Sequence, residues 1–152
     1  MAETAGLETE IGRLGLVALS GSITRLIWQC DAPEAESGEL FEASRQLKRY
    51  FAGALTAFDL PLRPHGSEFA QKVWIAMLGI PYGETRTYGE LAREVGGSAQ
   101  SVGNACGSNP IPIIIPCHRV VAANGLGGYS GEGGIDMKIR LLRLENAIPN
   151  LI

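Results

Sequence analysis

Hydrophobic and polar positions alternate between two distinct rhythms along this chain. Leu14-Gly15-Leu16-Val17-Ala18-Leu19 and Ile23-Thr24-Arg25-Leu26-Ile27-Trp28 are short apolar-rich runs separated by Ser20-Gly21-Ser22. That pattern predicts a β-hairpin with a tight turn. Asp31 to Gly38 is polar and acidic and reads as a loop. Beyond it, Leu40, Phe41, Ser44, Leu47, Tyr50, Phe51 and Leu55 recur at steps of three and four residues, the spacing of an amphipathic helix. Phe58 to Pro64 contains Pro61 and Pro64 and must be extended. A boundary therefore falls near His65, giving an α/β unit over residues 1–64 and a second unit over 65–152.

The second unit is mainly helical in its periodicity. Ser67 is a suitable N-cap for a helix from Phe69 to Leu78, ended by Gly79. Ile80-Pro81-Tyr82-Gly83 is a turn. Thr87-Tyr88-Gly89-Glu90 is a capping box, in which Thr87 caps and Glu90 reaches back. Its helix runs to about Val95 and stops at Gly96-Gly97. Ser98 caps a second short helix through about Cys106. A helix, a brief glycine turn and a second helix make the spacing of a helix-turn-helix. Gly107-Ser108-Asn109-Pro110 then turns the chain into the apolar run Ile111–Ile115, read as a strand broken at Pro116. Asn124-Gly125 opens a glycine-rich stretch through Gly134. Asp136 is expected to cap a last helix with Met137, Leu141, Leu144 and Ile148 inward, Lys138, Arg140 and Arg143 outward, and Glu145 on the edge of the apolar face.

Composition and charge narrow the function classes. The chain has 152 residues and a net charge of −3. Residues 1–61 carry five basic and nine acidic side chains, residues 62–152 eight basic and seven acidic. The second unit can meet phosphate and the first would not. With so small a positive excess, DNA binding must draw on helix ends, backbone N–H groups and groove shape. No apolar stretch approaches the ~20 residues of a membrane span. The N-terminus lacks a signal peptide's basic and apolar regions. Three cysteines, Cys30, Cys106 and Cys117, form no CxxC pair, which argues for a reducing compartment and against a disulfide framework. Neither His65 nor His118 has cysteines at zinc-like spacing, so no metal site is expected.

The chemistry concentrates in Pro116-Cys117-His118-Arg119-Val120-Val121. A thiol becomes a nucleophile as its thiolate, in reach of a base that takes the proton. A carboxylate can then fix the imidazole tautomer and support the imidazolium. Asn109-Pro110-Ile111-Pro112, Ile115-Pro116-Cys117-His118-Arg119-Val120, Gly128-Tyr129-Ser130-Gly131 and Leu141-Leu142-Arg143-Leu144-Glu145 occur in that order. Together they resemble the O6-alkylguanine-DNA alkyltransferase family, the methylated-DNA–protein-cysteine methyltransferases. The resemblance is strong from His65 to Glu145 and merely compatible upstream.

What the resemblance implies is specific. The fold would be a ribonuclease-H-like α/β lobe, a small antiparallel sheet plus helix, followed by a mainly α domain with a winged helix-turn-helix-like motif. The activity would be that of a single-turnover methylated-DNA–protein-cysteine S-methyltransferase. Such a protein flips O6-alkylguanine, with O4-alkylthymine as a further candidate, from duplex DNA and moves the alkyl group irreversibly onto its own cysteine. Cys117 would be the acceptor, His118 the base acting through a water, Glu145 its orienting carboxylate and Asn109 the brace of the turn. Tyr88, the Val120 carbonyl, Tyr129 and Ser130 would surround the flipped base. Ser98, Gln100, Ser101, Gly103 and Arg119 would face DNA. The resemblance implies no cofactor, a monomer, duplex DNA carrying the lesion as partner, no membrane association, and a cytoplasmic site of action (nuclear in a eukaryote).

Several residues keep second readings. Arg119 fits a structural ion pair as well as a phosphate contact. Asn109 could simply start a turn, Tyr88 could be a packing residue, and Cys30 and Cys106 read as small buried apolar groups. Gln100-Ser101-Val102-Gly103 departs from the family's Arg-Ala-Val-Gly, so an uncharged glutamine stands where an arginine fills the gap left by the base. Competing functions are a non-enzymatic binder of alkylated DNA, against which Cys117 speaks, a Cys-His hydrolase, which would turn over, and a helix-turn-helix regulator.

Overall fold

The computed structural model describes residues 1–147 and divides into two compact units, Met1–His65 and the remainder from Gly66 onward. Ile148, expected on the inner face of the last helix, lies outside the described residues. No described helix is long and apolar enough to cross a membrane.

The first unit is a three-stranded antiparallel sheet, β1 (Glu3–Thr9), β2 (Gly12–Leu19) and β3 (Ser22–Ile27), with helix α1 (Gly38–Phe51) packed on it. The expected hairpin is β2–β3. Strand β1 adds Ala5 and Leu7 opposite Leu16 and Leu14, all four buried. Its run Glu3-Thr4-Ala5-Gly6-Leu7-Glu8-Thr9 holds too few apolar residues to stand out by composition. Cross-strand pairing makes it a strand. Leu40, Ala43, Leu47, Tyr50 and Phe51 form the buried face of α1. Leu55 does not extend that face, because Gly53 takes a left-handed φ of 76° and ends the helix. The proline segment is extended as its sequence requires. Its Pro61 accepts from the Ile23 N–H at 2.8 Å and the Arg63 N–H donates back to Ile23 O at 2.8 Å, lengthening the sheet edge. Cys30 is half-buried rather than buried.

The second unit is mainly helical: α2 (Glu68–Leu78), α3 (Tyr88–Val95), α4 (Ala99–Gly107) and α5 (Gly134–Leu144). Each of the first three has the cap that its sequence announces. Ser67 Oγ accepts from the Ala70 N–H, Thr87 and Glu90 form a reciprocal capping box, and Ser98 and Ser101 form another. Gly96 turns α3 toward α4 with a φ of 79°. Trp74 is almost wholly buried, and its indole N–H donates to Ala105 O at 2.9 Å, tying α2 to α4. Short strands β4 (Arg86–Thr87) and β5 (Val120–Val121) pair in parallel and bring residue 120 beside the start of α3.

Helix α5 corrects the sequence reading twice. Asp136 is not its cap. Gly133, at φ 85°, holds that position, and Asp136 sits in the first turn, where its charge suits the helix dipole. The buried stripe is Lys138, Leu141, Leu142 and Glu145, rotated from the expected Met137, Leu141 and Leu144, and Lys138 is completely buried. Polar partners, not apolar periodicity, decide this rotation.

Replacing Trp74 with Phe removes the donor to a buried carbonyl. Trp74→Phe should lower the unfolding free energy by about 1–3 kcal/mol in urea titration, and an unchanged midpoint would show that water replaces the indole.

Candidate active site

The run Ile111–Ile115 is entirely buried, yet it is not a strand. Ile114 N–H donates to Pro112 O at 2.9 Å and Ile115 N–H to Ile111 O at 2.9 Å, so the segment is a tight turn. Ile113 takes a φ of 74°, a strained position for a β-branched side chain. Asn109 holds both ends of this turn. Its Oδ1 accepts from the Ile111 N–H at 3.0 Å, and its Nδ2 donates to Ile115 O at 2.8 Å. Cys117 N–H donates to Ile115 O at 2.8 Å and opens a single turn of 3-10 helix, Cys117–Arg119.

The three residues of that turn are all buried and point to different partners. His118 has no exposure, and its Nε2 lies 2.7 Å from Glu145 Oε2. The carboxylate can only accept, so the geometry assigns the proton to Nε2 and leaves a lone pair on Nδ1. Nδ1 is buried and hydrogen-bonds no group among the described residues. Burial holds the His118 pKa below its ordinary value, although Glu145 pulls the other way. The carboxylate is shared: Arg119 Nε donates to Oε1 at 2.7 Å and Nη2 to Oε2 at 3.0 Å. Arg119 spends a third donor on Ile80 O at 2.7 Å, and its guanidinium lies over the Tyr82 ring. Only 7% of Arg119 is exposed, so of the two readings the ion pair is the one the structure realises. Its assignment to a DNA-facing surface is corrected, because all three interactions hold it inside.

Lys138, expected in solvent, donates from Nζ to Val120 O at 2.6 Å and to Gly128 O at 2.9 Å. It also lies 5.8 Å from the centre of the Tyr88 ring. Burial pushes its pKa down to about 8. It had a sequence signal, since Lys138, Leu141, Leu142 and Glu145 share one helical stripe.

A pocket of about 290 Å³ opens on Cys117. Tyr88, Gly103, Cys106, Gly107, Gly128, Tyr129 and Ser130 complete its lining. The structure thus brings together Cys117, Tyr88, Tyr129, Ser130 and Gly103. Gly127, at φ 72°, lets Tyr88 approach closely, since a Cβ there would sit 2.9 Å from the Tyr88 ring. Val120, expected beside the flipped base, does not line this pocket, and its carbonyl accepts from Lys138. Ser98 and Gln100 are exposed at the start of α4 and apart from the pocket lining, and Ser101 beside them uses its hydroxyl in the cap. Cys106 belongs to the wall and was missed as a pocket residue, because nothing in its local sequence sets it apart from a packed thiol. Burial pushes the Cys117 thiol up, and the Asn109 amide and the Lys138 charge oppose that shift.

Two capped helices joined by a glycine turn stand in the same unit as a buried Cys-His-Glu constellation, a class of protein that sets a paired-helix module beside a thiol placed for chemistry. The model of the 6-O-methylguanine DNA methyltransferase DNA-binding domain matches residues 68–147. The methylated-DNA–protein-cysteine methyltransferase of Mycobacterium tuberculosis is 48% identical over 146 residues, 94% of this chain and 84% of that one. Its counterpart from Methanosarcina acetivorans is 54% identical over 116 residues, 74% of this chain and 73% of that one. Among solved structures, the M. tuberculosis O6-methylguanine methyltransferase superposes with a TM-score of 0.85 at 42% identity, covering 97% of this chain and 94% of that one. The M. tuberculosis protein solved in complex with DNA gives 0.85 at 43%, covering 95% and 92%. The chain belongs to the O6-methylguanine-DNA methyltransferase family.

The buried neutral imidazole makes a pH prediction. The folded-state pKa of His118 lies below the unfolded value of about 6.5. Below that value the unfolded chain takes up a proton that the folded chain refuses, so stability present above pH 6.5 is lost as the pH falls. Urea titrations from pH 7.5 to 5 should show stability falling with pH, with ~1.4 kcal/mol per pH unit as the ceiling from this group. His118→Asn should lack that component, and parallel curves for the two proteins would refute it.

Proposed function

We propose that this protein repairs alkylated DNA by direct reversal, moving the alkyl group of O6-alkylguanine onto its own Cys117 in a single turnover. The observation that carries this reading is the buried Cys117 at the floor of a base-sized pocket, next in sequence to a His118 that is locked to Glu145. In the reaction, the Cys117 proton passes through a water to His118 Nδ1. The sulfur then attacks the alkyl carbon, the S–C bond forms as the C–O6 bond breaks, and the base recovers a proton to leave as guanine. The resulting thioether has no route back, so the acceptor is spent. Glu145 receives the Nε2 hydrogen bond and supports the imidazolium, while Arg119 keeps that carboxylate ionised and fixed.

Cys117 is buried at the floor of its pocket and cannot reach a base that stays stacked in the duplex, so the base must be flipped into the pocket. Tyr88 and Tyr129 offer ring surfaces to it, Ser130 a backbone polar group, and Asn109 the fixed turn beneath. A non-enzymatic lesion binder would have no use for the buried thiol and its base. O4-alkylthymine presents the same alkyl–oxygen bond and is the second candidate lesion. In this reading the first unit is the ribonuclease-H-like lobe, and α3 and α4 form the winged helix-turn-helix. Helix α4 meets DNA through Ser98, Ser101, Gly103 and the N–H groups at its start, and Gln100, exposed beside them, fills the gap left by the flipped base.

Intact-mass and peptide mapping after incubation with O6-methylguanine duplex should find one methyl group, on the Cys117 peptide. Methylation at Cys30 or Cys106, or turnover beyond one equivalent, contradicts the assignment. His118→Gln and Glu145→Gln should each slow transfer, and the double variant should be little slower than the worse single one, because the pair acts as a unit. Additive losses would separate them.

Gln100 supplies no charge. Gln100→Arg should tighten duplex binding and steepen its salt dependence by roughly one unit of phosphate neutralisation. Gln100→Ala should slow repair of duplex substrate while sparing free O6-benzylguanine, which needs no flipping. Equal losses on both substrates would place Gln100 in the support of the pocket.

A further inference from the structure

Cys106 has no part in the reaction above, yet it stands in the wall of the same pocket as Cys117. It is buried near the end of α4, with Sγ 3.7 Å from Met77 Sδ. Burial pushes its thiol up to about 12, and charge on Cys117 opposes its ionisation further. Near neutral pH it is a protonated, slow nucleophile. Such a thiol ignores a methyl group but reacts with a strong electrophile tethered beside it, where the effective concentration is very high.

We propose that Cys106 and Cys117 make the pocket a dithiol trap for two-ended alkyl groups of the O6-(2-haloethyl)guanine class, Cys117 taking the first carbon and Cys106 the second. The proposal rests on the alkyl-transfer reading of Cys117. The first step is that transfer: the bond from Cys117 sulfur to carbon forms, the C–O6 bond breaks, and the base leaves as guanine. Cys117 now carries a 2-haloethyl thioether. Its sulfur lone pair displaces the halide from the second carbon, forming a third S–C bond and a three-membered sulfonium ring while halide departs. Cys106 Sγ attacks one ring carbon, a new S–C bond forms, and the C–S⁺ bond breaks, returning Cys117 to a neutral thioether. The Cys106 proton leaves to solvent. The net product is an ethylene bridge between two cysteines plus hydrogen halide, with no oxidant or reductant.

The surroundings permit the second step. The contact from Cys106 to Met77 is between soft sulfurs and weak, so Sγ can turn from it to another staggered position. Gly103 and Gly107 flank Cys106 on α4, and a Cβ at either would meet nothing within 4 Å, which leaves the bridge room. Capture by Cys106 also removes an electrophile that would otherwise meet water or the DNA just released.

The full-length protein, incubated with freshly prepared duplex carrying O6-(2-chloroethyl)guanine, tests this by peptide mapping. The expected product is an ethylene-bridged pair of peptides containing Cys106 and Cys117, with Cys30 the one thiol still titratable after denaturation. Cys106→Ser should lose the bridge and yield 2-hydroxyethyl on Cys117. The wild-type map decides even if that variant folds poorly: 2-hydroxyethyl on Cys117 with a free Cys106 overturns the trap. A parallel O6-methylguanine duplex separates the failures. Methyl on Cys117 without a bridge in the chloroethyl reaction refutes the trap alone, and no methyl transfer refutes the alkyl-transfer reading with it.

Discussion

One carboxylate organises the second unit. Glu145 accepts from His118 with Oε2 and from Arg119 with both oxygens, and all three groups are buried. A buried ion is tolerated only when partners replace its hydration, so none of the three can move alone. The contact fastens the C-terminal end of α5 to the 3-10 turn that carries Cys117. Tyr82 adds to the same fastening, since its hydroxyl donates to Leu144 O at 3.1 Å while its ring faces Arg119. Removal of the carboxylate would leave two cationic or polar groups facing apolar surroundings, a cost of about 3–5 kcal/mol for a buried pair broken on one side.

That arrangement also sets the protonation states. Arg119 neutralises Glu145, so the carboxylate orients the imidazole without forcing a second proton on it. The imidazole is left neutral with its lone pair on the unprotected side, the state a general base requires. Cys117 faces the opposite problem, because burial favours its protonated form. Lys138 answers in part: a buried ammonium near the thiol, held by two backbone carbonyls, favours the thiolate. The same lysine joins Val120, just after the turn that carries Cys117, to Gly128 in the glycine-rich loop that lines the pocket.

Local sequence signals were legible wherever the cause was local. The caps at Ser67, Thr87 and Ser98, the glycine stop after α3 and the hairpin around Gly21 depend on hydrogen bonds or φ angles within a few residues. Elements whose cause lies elsewhere were not legible. Strand β1 exists because β2 pairs with it. Ile111–Ile115 has the composition of a strand but is bent into a turn by Asn109, a residue outside the run.

The sequence by itself determined the chemistry and its order along the chain: Asn109, the Pro-Cys-His-Arg segment, the glycine loop with Tyr129 and Ser130, and Glu145. Those segments carried the family resemblance, and the resemblance, rather than any spacing, joined the distant Glu145 to the Cys-His pair. The tertiary structure alone decided which charges are buried. Arg119 and Lys138 look solvent-facing by residue type, and only long-range acceptors, Glu145 and Ile80 for one and Val120 and Gly128 for the other, make their burial tolerable. It also decided that Cys106 shares a pocket with Cys117, since the two lie on separate elements that only packing brings to one wall.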